Sequence, residues 1–448
     1  MAKYEKYAEY KDSGAQWLGD VPNHWGVEYS KWLFEERNIK ATAQDEMLTA
    51  SQKYGVIPQK MFMELEQQKV VQVLSGHDIL KKAESNDFVI SMRSFQGGIE
   101  FSEFSGAVSS AYVPLKPRDG LSLAYYKHLF KSAPYIQALQ TTTNLVRDGQ
   151  ALRYGNFIQV RIPLVPLEEA KKIGHFLDHE TAQIDTLITK QEKLIELLKE
   201  KRQGMISHAV TKGLNPDVSM KDSGVEWLGQ VPEHWEGKPL KYLCTYNDDT
   251  LSETTPKETE IQYIDIGSVS AVNGISKIET MIFKDAPSRA RRIVRDGDVI
   301  VSTVRTYLEA IASIDNPPEN LVVSTGFIVI RPNQYLYKGF ASYCLRAKGF
   351  IKEVIARSVG VSYPAINSSD LVNISIPSLE YCEQMEITNF LDSQTAKIDE
   401  LIRKAESVIQ LMQERRTALI SSAVTGKIDV RNWQNPNKNN EEQTEINA

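Results

Sequence analysis

The sequence predicts an α+β chain with an internal pseudo-two-fold repeat, in which two mixed α/β globular regions are joined by two long helices that pair as a coiled coil. Three observations carry that prediction. A heptad-spaced apolar series running from Glu168 to Val210 returns from Cys382 to Val424 at a constant offset of 214 residues. A lead-in motif occurs as KDSGAQWLGDVPNHW from Lys11 to Trp25 and as KDSGVEWLGQVPEHW from Lys221 to Trp235, identical at 11 of 15 positions with an offset of 210. Between each motif and its helix lie β-branched runs bounded by Gly, Asn and Pro, which read as strands.

The boundaries that follow are a first region at 1–166 with its motif at 11–25, a first long helix at 167–212, a second region at 213–380 with its motif at 221–235, a second long helix at 381–427 and a polar tail at 428–448. In the first region the strand-like runs are Asp87 to Met92, Ala107 to Pro114 and Phe157 to Pro163. In the second they are Ile261 to Ile266, Asp298 to Val304, Leu321 to Ile330 and Val372 to Pro377. Leu121 to Gln140 and Leu336 to Arg357 look helical, and the tail from Asn432 reads as disordered.

In the first helix Ile173, Leu177, Ile184, Leu187, Leu194, Leu198 and Met205 recur at heptad spacing, interrupted by Glu180, Gln191 and Lys201. The matching series is Ile387, Leu391, Ile398, Leu401, Val408, Met412 and Leu419. Neither helix contains a proline, so both run unbroken. A helix this long cannot bury its seam alone, and the other seam of equal length in the chain is its own repeat; the alternative is that each packs on its own globular region. From Ile173 to Met205 such a rod is about 50 Å long, more than one turn of B-DNA at roughly 34 Å, so it can set a distance.

Composition is ordinary for a globular protein of 448 residues, with 42% apolar and 25% charged residues, and allows two or three domains. The three cysteines are far apart and form no CxxC pair, which argues against a disulfide framework and against a zinc site and fits a reducing cytoplasm. No apolar signal core or membrane-length run is present. A net charge of −6 favours no polyanion partner by itself, so any such partner must meet a local concentration of bases.

Catalytic motifs are missing or broken. Asn316-Pro317-Pro318 begins the loop that an amino-methyltransferase uses to hold a flipped base, but Glu319 follows where a stacking ring is needed. No GxxxxGK[ST] sequence is present. Asp217 with Glu236-Gly237-Lys238 fits a metal-dependent nuclease spacing loosely, yet the first repeat, Gly26-Val27-Glu28, lacks the lysine. The seven histidines, His24 and His234 included, form no ligand cluster, so no catalytic or metal residue is assigned.

The two WLGxVPxHW segments, together with FLDxxTAxID at Phe176 to Asp185 and Phe390 to Asp399, resemble the specificity subunit of a type I restriction–modification enzyme over essentially the whole chain. The run that precedes the helix in that family survives in part, as Val165-Pro166-Leu167-Glu168-Glu169-Ala170 and Glu383-Gln384. The resemblance implies that each globular region is a target-recognition domain for one half of a bipartite double-stranded DNA sequence, and that the helices, paired antiparallel, fix the gap between the halves. It implies a non-catalytic, cytoplasmic subunit with no membrane role and no cofactor of its own. Two methyltransferase subunits and restriction-translocase subunits would be its partners, and S-adenosylmethionine, ATP and Mg would be bound there. A self-contained methyltransferase or nuclease, and a coiled-coil scaffold without DNA contact, are the alternatives.

Candidate DNA contacts come from residue type and loop position. In the first region they are Arg93, Ser94 and Gln96 in one turn and Arg147, Arg153 and Tyr154 in a later loop. In the second they are Arg289, Arg291, Arg292, Ser302, Thr303, Arg305, Thr306 and Tyr307, with Ser362 and Tyr363 near the end. Arginine clamps phosphate or reads guanine, hydroxyls suit phosphates, and glutamine can bond an adenine edge.

Overall fold

A computed structural model describes residues 4–67, 79–91, 94–143, 152–270 and 274–436. The chain divides into two compact units, Met1–Gln191 with Ser407–Ala448, and Glu192–Glu406. Both long helices therefore begin in one unit and end in the other.

Each lead-in motif forms the same hairpin. In the first unit Tyr10–Asp12 pairs antiparallel with Asp20–Pro22; in the second Met220–Asp222 pairs with Gln230–Pro232. The KDSG quartet makes its turn, with Asp12 and Asp222 accepting the N–H of Gly14 and Gly224 at 2.9 and 3.0 Å. Those glycines have φ of +65° and +66°, which other residues adopt at a cost. The first tryptophan of each motif donates to a strand at the far end of its globular region, Trp17 to the Arg161 carbonyl and Trp227 to the Ser375 carbonyl, both at 2.9 Å. Those strands, Arg161–Leu164 and Ser375–Ser378, pair antiparallel with Gly26–Tyr29 and Glu236–Pro239.

The second tryptophan reaches the helix. Glu169, in the first turn of the helix Leu167–Lys212, is buried, and its carboxylate accepts from Tyr7 Oη at 2.7 Å and Trp25 Nε1 at 2.9 Å while His24 Nε2 lies 2.7 Å away. Glu383 of the helix Tyr381–Val424 accepts from Trp235 Nε1 at 3.1 Å, with His234 Nε2 at 2.9 Å. A carboxylate in a first helical turn also complements the helix dipole. So His24 and His234 are helix anchors. The second hub lacks the tyrosine, Asp217 standing at that repeat position, and its carboxylate is 27% exposed against 7% for Glu169.

Each globular region is built on an antiparallel four-stranded sheet of the same order. In the first unit the order is Phe34–Glu36, Val113–Pro117, Phe88–Ile90, Glu100–Phe101; in the second it is Cys244–Tyr246, Phe327–Pro332, Val299–Ser302, Ile311–Ser313. Paired helices follow, Leu123–Leu129 with Ala133–Thr141 and Lys338–Leu345 with Lys348–Ala356. The second unit adds another four-stranded sheet, Glu279–Ile282, Glu260–Ile264, Leu321–Ser324, Ala290–Ile293. In it Glu260–Ile264 and Leu321–Ser324 run parallel.

Several expected strands are therefore divided. Leu321 to Ile330 is two strands in two sheets, because the chain turns at Gly326, where a Cβ would stand 2.5 Å from Ile266 Cδ1. Ala107 to Pro114 is divided between Gly106–Val108 and Val113–Pro117, and the start of Phe157 to Pro163 closes the short helix Tyr154–Phe157.

The long helices, 46 and 44 residues, end at Gly213 and Gly426, which have φ of +73° and +71°. Asp185 meets Arg416 at 3.0 Å in the first unit, and Arg202 meets Asp399 at 3.1 Å in the second. Each pair is the 214-residue repeat of the other, and the partner number falls as the first rises, so the helices pair antiparallel. Their ends also enter the globular cores: Ile173, Phe176 and Leu177 share a cluster with Leu419, Ile420 and Val424 in the first unit, and Ile206 and Val210 one with Ile387 and Leu391 in the second.

The seam differs from the apolar series in the middle of each helix. Ile173, Leu177, Ile184, Ile387, Leu391 and Ile398 are buried, and Leu198, Val408 and Met412 half-buried. Leu187, Leu194 and Leu401 face outward at 44%, 44% and 50% exposure. Ile188, Ile195 and Ile402, one position on, are half-buried instead. Thr181 and its repeat Thr395 are each 5% exposed, with the hydroxyl returned to a carbonyl one turn back, Leu177 and Leu391, at 2.7 Å, and the Thr395 hydroxyl also lies 3.2 Å from that of Tyr343.

The region after Lys427 is no loose tail at its start. Ile428 and Val430 are buried in the first core, the Asp429 N–H donates to the Glu5 carbonyl at 2.8 Å, and Trp433 sets its ring edge-on to Phe176 at 5.6 Å. Residues 437–448 lie outside the described residues.

Two outcomes follow. Glu169→Ala strands three donors, two of them buried, and is expected to cost about 2–4 kcal/mol in urea unfolding followed by tryptophan fluorescence, against about 1–2 kcal/mol for Glu383→Ala; equal losses would contradict the difference between the hubs. Cys244 and Cys344 are buried, burial pushing the Cys244 thiol up to about 12 with Asp248 adding to it, and burial likewise raising Cys344, whereas Cys382 is exposed. One of three thiols should then react rapidly with a thiol reagent at pH 8, and all three after denaturation.

Candidate nucleic-acid interface

In the first unit, Gln96 is exposed on the short helix Ser94–Gly97. Ser94 is fully buried and accepts the Ser91 N–H at 2.8 Å, so it shapes the turn and is closed to a ligand. Arg153 is exposed, its N–H held by the Asn156 side chain at 3.0 Å. Tyr154 is half-buried, its ring stacked on Phe157 and its hydroxyl aimed at the Phe34 carbonyl at 3.3 Å, which makes it part of the packing. Arg93 and Arg147 lie outside the described residues.

In the second unit the basic run divides by surroundings. Arg291 and Arg292 lie on the strand Ala290–Ile293 rather than in a loop. The Arg291 guanidinium sits over the Phe283 ring at 4.6 Å, and burial holds the Arg292 pKa below the usual value. Arg289 is exposed and meets Asp265 at 3.2 Å. Ser302 and Thr306, each 3% exposed, are structural: the Ser302 hydroxyl donates to the Val304 carbonyl at 2.6 Å, and the Thr306 hydroxyl bonds that of Ser358 at 2.8 Å. Thr303 is half-buried and donates to the Gly326 carbonyl at 2.9 Å. Arg305, Tyr307, Ser362 and Tyr363 remain exposed.

The two polar loops that the sequence separates by 50 residues and more are one surface. Val304 pairs with Ala365, the Ile366 N–H donates to the Thr303 carbonyl at 2.9 Å, and the Arg305 guanidinium stacks on the Tyr363 ring at 5.0 Å. Arg305 takes a φ of +51°, a left-handed conformation that non-glycine residues rarely hold, and that conformation brings its side chain to the tyrosine. The loop tip itself carries Val359 and Val361, 81% and 102% exposed, which a search for polar contacts passes over.

Each four-stranded sheet holds a buried aspartate just before the same strand, Asp87 before Phe88–Ile90 and Asp298 before Val299–Ser302. Asp87 takes a bidentate grip from Arg37 at 2.6 and 2.9 Å, and Asp298 one from Arg331 at 2.9 and 2.8 Å. Each also accepts a backbone N–H three residues back, from Glu84 and Arg295. Arg331 additionally meets Asp249 at 2.8 Å, and the Asp298 contact, with Asp249, raises its pKa. Its charge is spent internally.

Among the described residues no group of three or more His, Cys, Asp or Glu side chains is placed to hold a metal ion, and no helix is long and apolar enough to cross a membrane. Asp217 is exposed in the linker, and Glu236 and Lys238 lie on a paired strand.

Residues 232–411 match the family described as the type I restriction modification DNA specificity domain. The specificity subunit of the type I restriction enzyme MjaVIII of Methanocaldococcus jannaschii is 26% identical over 362 residues, 78% of this chain and 80% of that one. That of EcoKI of Escherichia coli K12 is 24% identical over 219 residues, 46% of each chain. Among solved structures, a chain of a type I R-M system superposes with a TM-score of 0.68 at 15% identity, covering 91% of this chain and 99% of its own. The HsdS subunit from Thermoanaerobacter tengcongensis gives 0.51 at 15% identity, covering 91% and 98%; both likenesses concern the fold. The repeated lead-in motif is locked to the repeated helix in both units, residues 232–411 match the type I restriction modification DNA specificity domain, and the chain is similar to specificity subunits of type I restriction enzymes over most of its length.

Proposed function

We propose that this chain is the non-catalytic DNA-recognition subunit of a type I restriction–modification complex, and that it directs adenine methylation or restriction by partner subunits to a bipartite, asymmetric target. The observation that carries the proposal is a frame used twice with different loops on it. Hairpin, glutamate hub, sheet order and seam repeat between the units, whereas the exposed side chains do not: Gln96 and Arg153 in one, Arg289, Arg305, Tyr307, Ser362 and Tyr363 in the other. A symmetric frame with unlike readers suits a target with unlike halves. Regions 1–166 and 213–380 are the two target-recognition domains in this reading, and the helices 167–212 and 381–427 set the gap between half-sites.

Recognition here needs only binding. Arginine and tyrosine on protruding loops supply phosphate contacts and base-edge donors, and an acidic chain tolerates a polyanion where its bases are gathered. Leu187 in the first unit, and Leu194, Leu197 and Leu401 in the second, are exposed on the long helices outside the seam, which suits docking of two methyltransferase subunits there. Those subunits and the restriction-translocase would carry S-adenosylmethionine, ATP and Mg, and the complex would work in the cytoplasm.

Single-molecule sequencing of methylated adenines in cells with the partner methyltransferase, with and without this chain, tests the reading. A bipartite motif that depends on the chain supports it; identical methylation with the complex assembled favours a scaffold. Inserting four residues into both long helices, a stutter that the seam accommodates by local unwinding, lengthens each by about 6 Å and should change the spacer while leaving both half-sites as they are. An altered half-site would end the ruler idea. Arg289→Ala with Arg305→Ala should lower the salt slope of DNA binding by about two if both meet phosphate, or relax one half-site if either reads a base.

A further inference from the structure

The tip Val359–Tyr363 of the second unit is a loop closed by one isolated antiparallel bridge, and it ends in apolar groups. Val359 and Ala365 exchange two backbone hydrogen bonds, 2.8 and 3.0 Å, and Gly360 turns the chain at a φ of +118°. Below, the Ser358 hydroxyl donates to the Val354 carbonyl at 2.7 Å and bonds Thr306, while Arg305 clamps the Tyr363 ring. Four attachments hold the tip in place, yet Val361 is 102% exposed, Val359 81% and Tyr363 66%. Fixing apolar side chains in water gains nothing unless a partner covers them.

Charge and shape choose the partner. The tip is flanked by Arg305, Tyr307 and Ser362, groups suited to a polyanion's backbone. A protruding loop closed by a single bridge fits the major groove of B-DNA, about 12 Å wide, better than the minor groove, about 6 Å wide. Valine brings only methyl groups, and the apolar group on a base edge in the major groove is the thymine C5-methyl. We propose that the Val359–Tyr363 tip enters the major groove of the half-site read by the second unit, and that Val361 recognises a thymine through its C5-methyl. This inference rests on the DNA-recognition reading and assigns one base type within it.

The test uses the complex of this chain with its methyltransferase partner and duplexes carrying the methylated motif, in which each thymine in turn is replaced by uracil, which lacks only that methyl. One position should weaken binding about fourfold, the worth of one buried methyl group. Val361→Ala should lose about as much on the thymine duplex and be indifferent to uracil at that position, with the salt slope unchanged. Because Val361 is fully exposed, that variant leaves the fold intact. A flat uracil series, a half-site with no A·T pair, or a variant that keeps the full uracil penalty overturns the inference. So does a variant that loses its methyltransferase partner with DNA affinity unchanged, which would make the tip a protein contact. A wild-type complex that shows no preference for the motif over scrambled DNA overturns the recognition reading as well.

Discussion

The repeated lead-in motif and the repeated long helix meet at one carboxylate in each unit. Glu169 is gripped by Tyr7, His24 and Trp25, Glu383 by His234 and Trp235, and through them a hairpin far away in sequence is tied to the first turn of a long helix. A buried carboxylate is costly unless its lone pairs are filled, and indole and phenol donors in fixed positions fill them. The same hairpin's other tryptophan holds the last strand before the helix. The helix start, the last strand and the hairpin are therefore tied to one another in each unit by side-chain hydrogen bonds.

Divergence has worked around this frame rather than through it. Asp87 and Asp298 occupy the same place in the two sheets and each is gripped by an arginine, but Arg37 follows an edge strand while Arg331 stands on the neighbouring inner strand. The constraint retained is that a buried carboxylate needs a bidentate partner; which strand supplies it is free. That freedom is what two readers on one scaffold require. Likewise the ion pairs Asp185–Arg416 and Arg202–Asp399 recur, one in each unit, since each joins the same two positions of the 214-residue repeat.

For the candidate interface the decisive contrast is between residue type and surroundings. Ser94, Ser302 and Thr306 are hydroxyls in segments that read as polar loops, yet all three are sealed by local backbone or side-chain partners, Ser94 on a short helix and Ser302 at the end of a strand. Short hydroxyl side chains serve turns as readily as phosphates, and their composition does not separate the two uses. Conversely Val359 and Val361 look like core residues in sequence and stand in solvent.

The sequence by itself determined the duplication, the two long helices and the α+β regions between them, because each is written in periodicities and repeated motifs that survive without knowledge of contacts. Of its heptad positions, Ile173, Leu177, Ile387 and Leu391 are buried, in the cores of the two units. Only the tertiary structure decided between Leu187, which is 44% exposed, and Ile188, which is half-buried, since adjacent apolar columns are equivalent until a partner covers one. Only it joined Arg305 to Tyr363 and made one surface of two distant loops, because a left-handed residue and an isolated bridge leave no periodic trace. Secondary structure is a local property with a period, and a recognition surface is a non-local one without.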